Sequence, residues 1–546
     1  MNVAELMIQC LECEGVEYVF GVPGEENEDF LFAIEKSSIQ FVPVRHEQGG
    51  AFIANVFGRL TGKAGVCLST LGPGATNLMT GVADANLDKA PLVAITGQGG
   101  IDRIHHESHQ MIDIVQMMAP ITKWNGRIVN GSVTHEMVRK AFKLAQAEKP
   151  GATHLEIPED IAHAEVEKKL APIVPRKVYR PIPIKSKIND AIKILENAKA
   201  PLILAGNGAI RTRTSHALTK LSTTCNIPVA CTFMAKGAIS DKLSTSLRAV
   251  GLGFKDYVME AFDQADVILT VGYDVAEYAP QKWNSRNNKT LIHLDFEPAE
   301  VYEKYNAIEL IGDIANGIEA IYARLKSKKY SDWFAETRTR IVDSVKSYHA
   351  EDSNEHFNAP NVISAMREVL PDNALLISDV GSHKMWIARN YPTYIPNGCI
   401  ISNGMASMGI ALPGLIAGYM VDKKRPVLAM MGDGGALMNI QELETAVRLG
   451  VKGVIIILND NNYGLIEWKQ KMNEGKSFGT KLGNPNFVDL AKSFGIEAHK
   501  PDTIGSLKAI VSDAITGDKL VLLEVSVQTD VNNELTQTLE DYFKNK

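Results

Sequence analysis

This chain of 546 residues has few cysteines, no surplus of basic residues and no long apolar runs. Six cysteines are too few to hold such a chain together by disulfides, which favours a reducing, cytoplasmic compartment. Lys and Arg number 57 against 64 Asp and Glu, a net charge of −7 without a basic block, so no nucleic-acid partner is expected. The longest apolar runs, such as residues 454–458, cannot span a bilayer, and the N-terminus lacks the basic start of a signal peptide. These absences predict a large soluble protein.

Two small groups of metal-type side chains have ordinary explanations. Cys10 and Cys13 form a C-x-x-C, which could be a redox pair or half a zinc site. They lie in a helical pattern without a complementary Cys or His pair, so we expect two small residues buried in a core. His105, His106 and His109 have no carboxylates that would complete a metal site, and we expect surface or substrate-lining roles.

The length and the 43 glycines indicate three or four α/β domains. Two linker-like stretches, 168–187 with four prolines and the polar 326–360, predict domains at 1–172, 186–335 and 358–546. Each domain alternates short apolar runs with amphipathic stretches, as a parallel sheet wrapped by helices does. The predicted strands are 18–20, 39–42, 66–70, 92–96, 202–205, 267–271, 291–294, 375–378, 427–431, 453–458 and 520–525.

The strongest chemical signal is a pair of acidic loops one strand–helix–strand unit apart. The strand at 427–431 runs into GDGG with Asp433, and the strand at 453–458 runs into NDNN with Asp460, 27 positions later. This spacing places both loops at the carboxyl ends of adjacent parallel strands, where ligands bind. Two carboxylates and a backbone carbonyl suit Mg²⁺, and glycines at a helix N-terminus suit a diphosphate.

The segment between these loops predicts one amphipathic helix. Leu437, Ile440, Leu443 and Val447 recur at helical spacing and should form its buried face. Gly450 should cap its C-terminal end.

The two loops at this spacing resemble the thiamine diphosphate (ThDP) motif of the pyruvate oxidase and acetolactate synthase superfamily. The resemblance implies a ThDP-binding fold of the pyruvate oxidase/decarboxylase type, with three doubly wound parallel-sheet α/β domains. The first domain would bind the pyrimidine, the central one would have a nucleotide fold, and the third would bind the diphosphate. Implied Mg²⁺ ligands are Asp433, Asp460 and the carbonyl of Asn462, and implied cofactor contacts include Gly432, Asp433, Gly434, Gly435, Asn462, Tyr463 and Gly464.

The first domain carries matching stretches, each after a predicted strand. VRHE resembles the superfamily motif whose glutamate activates the cofactor, which makes Glu47 the candidate catalytic residue. FGVPGEEN, with Pro23 and Gly24, and LSTLGPGATN, with Gly72 and Asn77, resemble stretches that line the cofactor.

Two further residues follow from the resemblance. Met408, in SNGMASMG, matches the methionine that wedges between the two rings of ThDP and holds its bent conformation. Gln110, in HESHQMIDI, matches a glutamine that lines the substrate pocket in acetolactate synthases. Both are therefore predicted to act at the catalytic site.

The sequence of the central domain indicates whether a second cofactor, FAD, should be expected. Residues 271–284 and 293–302 resemble the FAD-independent, catabolic acetolactate synthases more than the FAD-containing biosynthetic enzymes. Residues 205–208 begin like a dinucleotide fingerprint, but Arg211 stands where the third glycine belongs. FAD is therefore expected to be absent.

The resemblance implies an enzyme that condenses two pyruvate molecules to 2-acetolactate and CO₂ with ThDP and Mg²⁺. It also implies a homodimer or homotetramer with active sites at the subunit interface. Another ThDP-dependent 2-oxoacid decarboxylase or carboligase, or an FAD-containing biosynthetic acetohydroxyacid synthase large subunit, stays open. Acceptor preference between pyruvate and 2-ketobutyrate is open too, because Trp468 stands one place early and Lys469 occupies the matching position.

Overall fold

Three six-stranded parallel sheets organise the chain, as the computed structural model shows over residues 1–167, 169–176, 179–251 and 256–535. The prediction of three α/β domains is confirmed. Lys168, which begins the first predicted linker, and residues 536–546, which end the third predicted domain, lie outside the described residues.

The first sheet has the strand order β2-β1-β3-β4-β6-β5. Strand β3 is buried along its whole length, and such continuous apolar burial is typical of a parallel strand covered on both faces. Its strands are β1 (Tyr18–Gly21), β2 (Gln40–Pro43), β3 (Gly65–Ser69), β4 (Leu92–Gln98), β5 (Trp124–Arg127) and β6 (Ala152–Pro158). Its helices are α1 (Val3–Cys13), α2 (Glu28–Glu35), α3 (Glu47–Thr61), α4 (Pro73–Leu87), α5 (Ile114–Met118), α6 (Thr134–Gln146) and α7 (Glu159–His163).

The C-x-x-C lies at the end of α1, which begins with a capping box at Asn2 and Glu5. Cys10 is buried, and burial raises the pKa of its thiol to about 12. All six cysteines are free thiols. The expected core position is confirmed for Cys10, whereas Cys13 is only half-buried.

The second sheet has the order β12-β11-β10-β7-β8-β9, the order of dinucleotide-binding folds. Its strands are β7 (Pro201–Ala205), β8 (Val229–Cys231), β9 (Ser246–Ala249), β10 (Val267–Val271), β11 (Thr290–Asp295) and β12 (Ala307–Ile311). Its helices are α8 (Lys185–Asn197), α9 (Thr212–Cys225), α10 (Val258–Gln264), α11 (Pro280–Trp283) and α12 (Ile314–Leu325), followed by α13 (Ala335–Lys346) in the second linker-like stretch.

The third sheet, β14-β13-β15-β16-β18-β17, repeats the order of the first sheet strand for strand. Its strands are β13 (Leu375–Ser378), β14 (Cys399–Ile401), β15 (Val427–Gly432), β16 (Gly453–Asn459), β17 (Glu497–His499) and β18 (Leu520–Ser526). The remaining helices are α14 (Ala359–Val369), α15 (Ser382–Asn390), α16 (Ala411–Val421), α17 (Asp433–Ala436), α18 (Glu442–Arg448), α19 (Gly464–Glu474), α20 (Phe487–Ser493) and α21 (Ile504–Thr516).

The single amphipathic helix predicted between the acidic loops is wrong. Two short helices, α17 and α18, stand there instead, and Leu437 and Val447 of the predicted buried face are 39% and 42% exposed. Leu443 is buried as expected. The pattern failed because the chain leaves helical geometry after α17, so the residues on either side no longer share one periodicity. Gly450 has a φ of +62° directly after α18, as a capping glycine does.

The described residues form two compact units. The first falls within 1–178, 404–424 and 438–451, so α16 and α18 belong with the first sheet. The second falls within 179–403, 425–437 and 452–546 and holds the other two sheets. Over the described ranges, no helix is both long and apolar enough to cross a membrane.

Candidate active site

In the first unit, the predicted site residues follow the carboxyl ends of strands β1 to β4. Glu47 is the first residue of α3 and is buried. Its Oε2 accepts a hydrogen bond of 2.9 Å from the Nδ2 of Asn77, which lies on α4. A Cβ placed on Gly74 would lie 3.1 Å from Glu47 Oε1, so the glycine leaves that oxygen room. Asn77 therefore holds one carboxylate oxygen of Glu47, and the other oxygen lies beside the backbone of Gly74.

The neighbouring loops approach each other closely. The N–H of Gly24, next to Pro23, donates to Asn27 Oδ1 at 3.0 Å, and a Cβ on Gly24 would lie only 2.5 Å from that of Thr70. Gly72 has a φ of +49°, and a Cβ there would be 2.8 Å from the carbonyl oxygen of Gln110. Gln110 itself is exposed and has a φ of +58°. The structure thus brings the predicted loops after β1, β3 and β4 together.

Met408 belongs to the same unit as Glu47. Its segment is fixed at both ends, because the N–H of Gly404 donates to Asp88 Oδ1 at 2.7 Å and the carbonyl of Gly409 accepts from Asn439 Nδ2 at 2.8 Å. Gly409 has a φ of +93°, which glycine adopts without strain. The Met408 side chain is half-buried.

In the second unit, Asp433 and Asp460 converge on one backbone amide. The N–H of Asn462 lies 3.2 Å from Asp433 Oδ2 and 3.0 Å from Asp460 Oδ1. Burial and then the negative charge of Asp433 raise the pKa of Asp460 to about 7. Asp433 is buried and Asp460 is half-buried, and their carboxylates, at adjacent strand ends, are the hard oxygen ligands that Mg²⁺ prefers.

Packing around this acidic pair is tight. A Cβ on Gly464 would lie 2.5 Å from Asp460 Oδ2, and one on Gly434 would lie 2.8 Å from the ring of Tyr463. A Cβ on Gly435 would lie 2.7 Å from a carboxylate oxygen of Asp379. These glycines are needed because side chains already fill the space a Cβ would take.

Sequence reasoning missed two residues of this site. His383 lies on α15, after the end of β13, and its buried Nε2 has no hydrogen-bond partner among the described residues. Its ring is 3.6 Å from the position of a Cβ on Gly432. Asn484 donates from Nδ2 to Asp433 Oδ2 at 2.6 Å. The position of His383 after a predicted strand was a usable signal, whereas no local pattern marks Asn484.

The donor set fits a magnesium diphosphate. Hard oxygens come from Asp433 and Asp460, and the buried side-chain oxygen of Asn462 lacks a partner within the described ranges. When protonated, the unpartnered Nε2 of His383 can donate to a phosphate oxygen, and backbone N–H groups at the N-terminus of α17 can do the same. Within those same ranges, no three His, Cys, Asp or Glu side chains group as a metal site of their own.

The central domain holds a half-buried carboxylate at its dinucleotide-type loop. Glu277, after β10, accepts from the N–H of Asn207 at 3.0 Å, the N–H of Asp274 at 3.1 Å and the hydroxyl of Thr232 at 2.5 Å. A Cβ on Gly206 would lie 2.9 Å from Glu277 Oε1. Burial raises the pKa of Glu277 to about 7. The carboxylate occupies the crevice between β7 and β10, where the strand order reverses.

Comparison with known proteins gives three matching family models. They describe the thiamine pyrophosphate enzyme N-terminal TPP binding domain over residues 1–117, the central domain over 188–321 and the C-terminal TPP binding domain over 379–525.

The chain is also similar to curated proteins over nearly its full length. It is 33% identical to a Bacillus subtilis protein named acetolactate synthase, over 97% of this chain and 94% of that one. It is 32% identical to a probable acetolactate synthase large subunit of Methanococcus aeolicus, over 96% and 92%. It is 31% identical to a catabolic acetolactate synthase of Raoultella terrigena, over 96% and 94%.

Proposed function

This chain belongs to the acetolactate synthase family of ThDP-dependent enzymes, and from that premise we propose that it condenses two pyruvate molecules to 2-acetolactate and CO₂ with ThDP and Mg²⁺. The observation that carries the proposal is the buried Glu47 at the start of α3, with one oxygen held by Asn77 and the other beside Gly74, where the lack of a side chain leaves it room. A carboxylate fixed in this way is suited to hold a proton for a cofactor.

Asp433, Asp460 and the carbonyl of Asn462 would hold Mg²⁺, and His383 with the N-terminus of α17 would bind the diphosphate. ThDP, when bound, supplies an electron sink for the loss of CO₂ from a 2-oxoacid. Gly432, Gly434, Gly435, Tyr463 and Gly464 shape the surrounding loops so that backbone can approach the phosphates.

The protein side of the chemistry falls to three residues of the first unit. Glu47 Oε1 holds the proton that must move to and from the cofactor's pyrimidine, because Asn77 occupies Oε2. Met408 orients the cofactor rings from its fixed segment, and Gln110 meets the substrate from its exposed loop. Pro23, Gly24 and Gly72 keep the loops at strand ends close to the pyrimidine.

Activity assays test this assignment directly. Purified protein given pyruvate should form 2-acetolactate only when ThDP and Mg²⁺ are both present. Glu47→Gln should lose most turnover, while Glu28→Gln, at the matching first position of α2 and exposed, should keep it. Acetaldehyde as the main product would indicate a decarboxylase instead, and near-normal turnover of Glu47→Gln would remove the catalytic assignment.

We also propose that the central domain holds no FAD. The N–H of Asn207, in the loop that would bind a dinucleotide's diphosphate, already donates to Glu277, and the Glu277 side chain fills the space beside Gly206. This supports the FAD-independent, catabolic type over the biosynthetic one. Purified protein should show no flavin absorbance and no gain in activity with added FAD; stoichiometric bound flavin would overturn the proposal.

We further propose a cytoplasmic homodimer or homotetramer with active sites at the subunit interface. Six free cysteines agree with a reducing compartment. The arrangement itself comes from the resemblance, in which the first domain of one chain and the third domain of another share a cofactor. Sedimentation at assay concentration should show no active monomer, and a fully active monomer would refute the shared site.

A further inference from the structure

Glu442, on α18, lies against the turn that leads into Glu47. Its side chain is completely buried. Oε1 accepts hydrogen bonds of 3.1 Å from the N–H groups of both Arg45 and His46, the two residues that precede Glu47. Oε2 accepts from the hydroxyl of Thr445 at 2.6 Å. Oε2 also accepts from the N–H of Arg45 at 3.3 Å, so both carboxylate oxygens hold the backbone next to the candidate catalytic residue.

The first turn of α3 is shaped to admit this carboxylate. A Cβ on Gly49 would lie 2.5 Å from Glu442 Oε1 and 2.7 Å from its carboxyl carbon. Real Cβ atoms do not come that close, so any side chain at position 49 would displace the carboxylate. Burial raises the pKa of Glu442, while the hydrogen bonds from Thr445 and the two amides lower it. The N-terminal end of α3 also favours a negative charge here.

A second side chain of the same segment makes a parallel contact. Asn439 is buried, donates to the carbonyl of Gly409 and accepts from Gln48 Nε2 at 3.5 Å. Gln48 follows Glu47, and Gly409 follows Met408. Residues 439–442 therefore contact both the turn that carries Glu47 and the segment that carries Met408.

We propose that Glu442 is a positioning residue for Glu47. By holding the N–H groups of Arg45 and His46, it fixes the start of α3 and with it the direction in which the Glu47 carboxylate leaves the backbone. The inference rests on the proposed function, because it gives Glu442 a role only through Glu47. Displacing a catalytic group by about 1 Å can cost about 100-fold in rate, so loss of this support should slow proton transfer strongly.

The test compares Glu442→Gln with Glu444→Gln. Both remove one carboxylate from α18, but Glu444 is partly exposed and paired with Arg448. Glu442→Gln removes the negative charge that the two N–H groups and the Thr445 hydroxyl stabilise, and the new amide nitrogen cannot accept a hydrogen bond from any of them. We expect turnover to fall by about 10- to 100-fold, and hydrogen–deuterium exchange at C2 of bound ThDP to slow equally. ThDP affinity and melting temperature should change little, and Glu444→Gln should match the wild type.

A readout without cofactor separates positioning from other roles. In cofactor-free protein, the backbone amides of peptides covering residues 41–52 should exchange faster in Glu442→Gln than in the wild type. Unchanged amide protection with normal C2 exchange would overturn the proposal, as would a loss of turnover that only follows loss of ThDP binding. Thr445→Val, which removes a single donor to Oε2, provides a milder variant with a smaller fall in C2 exchange if Glu442→Gln does not fold.

Glu47→Gln makes the two assignments distinguishable. If it exchanges C2 hydrogen at the wild-type rate, the catalytic assignment fails and the positioning role fails with it. If Glu47→Gln is inactive while Glu442→Gln exchanges normally, the positioning role alone is refuted.

Discussion

Glu277 should make the stability of the protein depend on pH in a way that one substitution removes. Burial raises its pKa from the ordinary 4.5 to about 7, and the nearby Asp274 adds to the rise, against the hydrogen bonds from Thr232 and Asn207. The folded state therefore holds a proton that the unfolded chain has released, and this contribution is lost as pH rises through 7. Between about pH 5.5 and about pH 8, linkage gives a loss of roughly 2 kcal/mol in the free energy of unfolding.

Chemical denaturation of wild type and Glu277→Gln at both pH values measures this loss. The difference between the two proteins isolates Glu277, because every other titrating group is common to both. From the lower to the higher pH, we expect the free energy of unfolding of Glu277→Gln to increase by roughly 2 kcal/mol relative to that of the wild type. A stability difference between the two proteins that stays constant across this range, or that changes in the opposite direction, would refute the view that the folded protein holds a proton on Glu277.

Three further predictions concern the site and the core. Glu47→Gln should lower turnover by about 100-fold or more while ThDP titration shows near-normal affinity, and a parallel loss of affinity would point to a binding role. Asp460→Asn should weaken Mg²⁺-dependent ThDP binding by about tenfold or more. It should also stabilise the cofactor-free protein in thermal melts, because it removes the repulsion between the carboxylates of Asp433 and Asp460. Unchanged affinity for ThDP would remove the ligand assignment. Ile456→Ala, in the fully buried centre of β16, should lower the free energy of unfolding by about 2–5 kcal/mol in chemical denaturation. Ile466→Ala, 48% exposed on α19, should lower it by under about 1 kcal/mol. Equal losses would contradict this description of the core.

Most central strands could be predicted because burial on both faces makes them continuous apolar runs. Strand β6 was not predicted, although it is buried throughout, because Thr153, His154 and Glu156 interrupt its apolar pattern. Their partners lie on other elements: His154 Nε2 is 2.9 Å from Thr96 Oγ1, Gln98 donates to Glu156 at 3.2 Å, and Thr153 donates to the carbonyl of Ala141 on α6. Hydrogen bonds between distant elements cannot be recognised from a short window of sequence.

The same limit explains what was found and missed at the site. The proximity of Asp433 and Asp460 was predictable, because a fixed strand–helix–strand spacing determines where both loops lie. Asn484 and Glu442 were not, because their importance comes from contacts with residues 51 and about 397 positions away. The broken helix after Asp433 misled the periodicity for a related reason, since only tertiary packing decides where α17 stops.

Helix α16 has a consequence for how the chain is made. It packs on α3 and is buried on nearly every side, yet it begins 248 residues after α7, the last helix of the first sheet. A ribosome adding about 5–20 residues per second needs on the order of 10–50 s to cover that distance. During this time the face of α3 that receives α16 has no cover from the nascent chain. The first unit therefore completes its fold only after more than three-quarters of the protein has been synthesised.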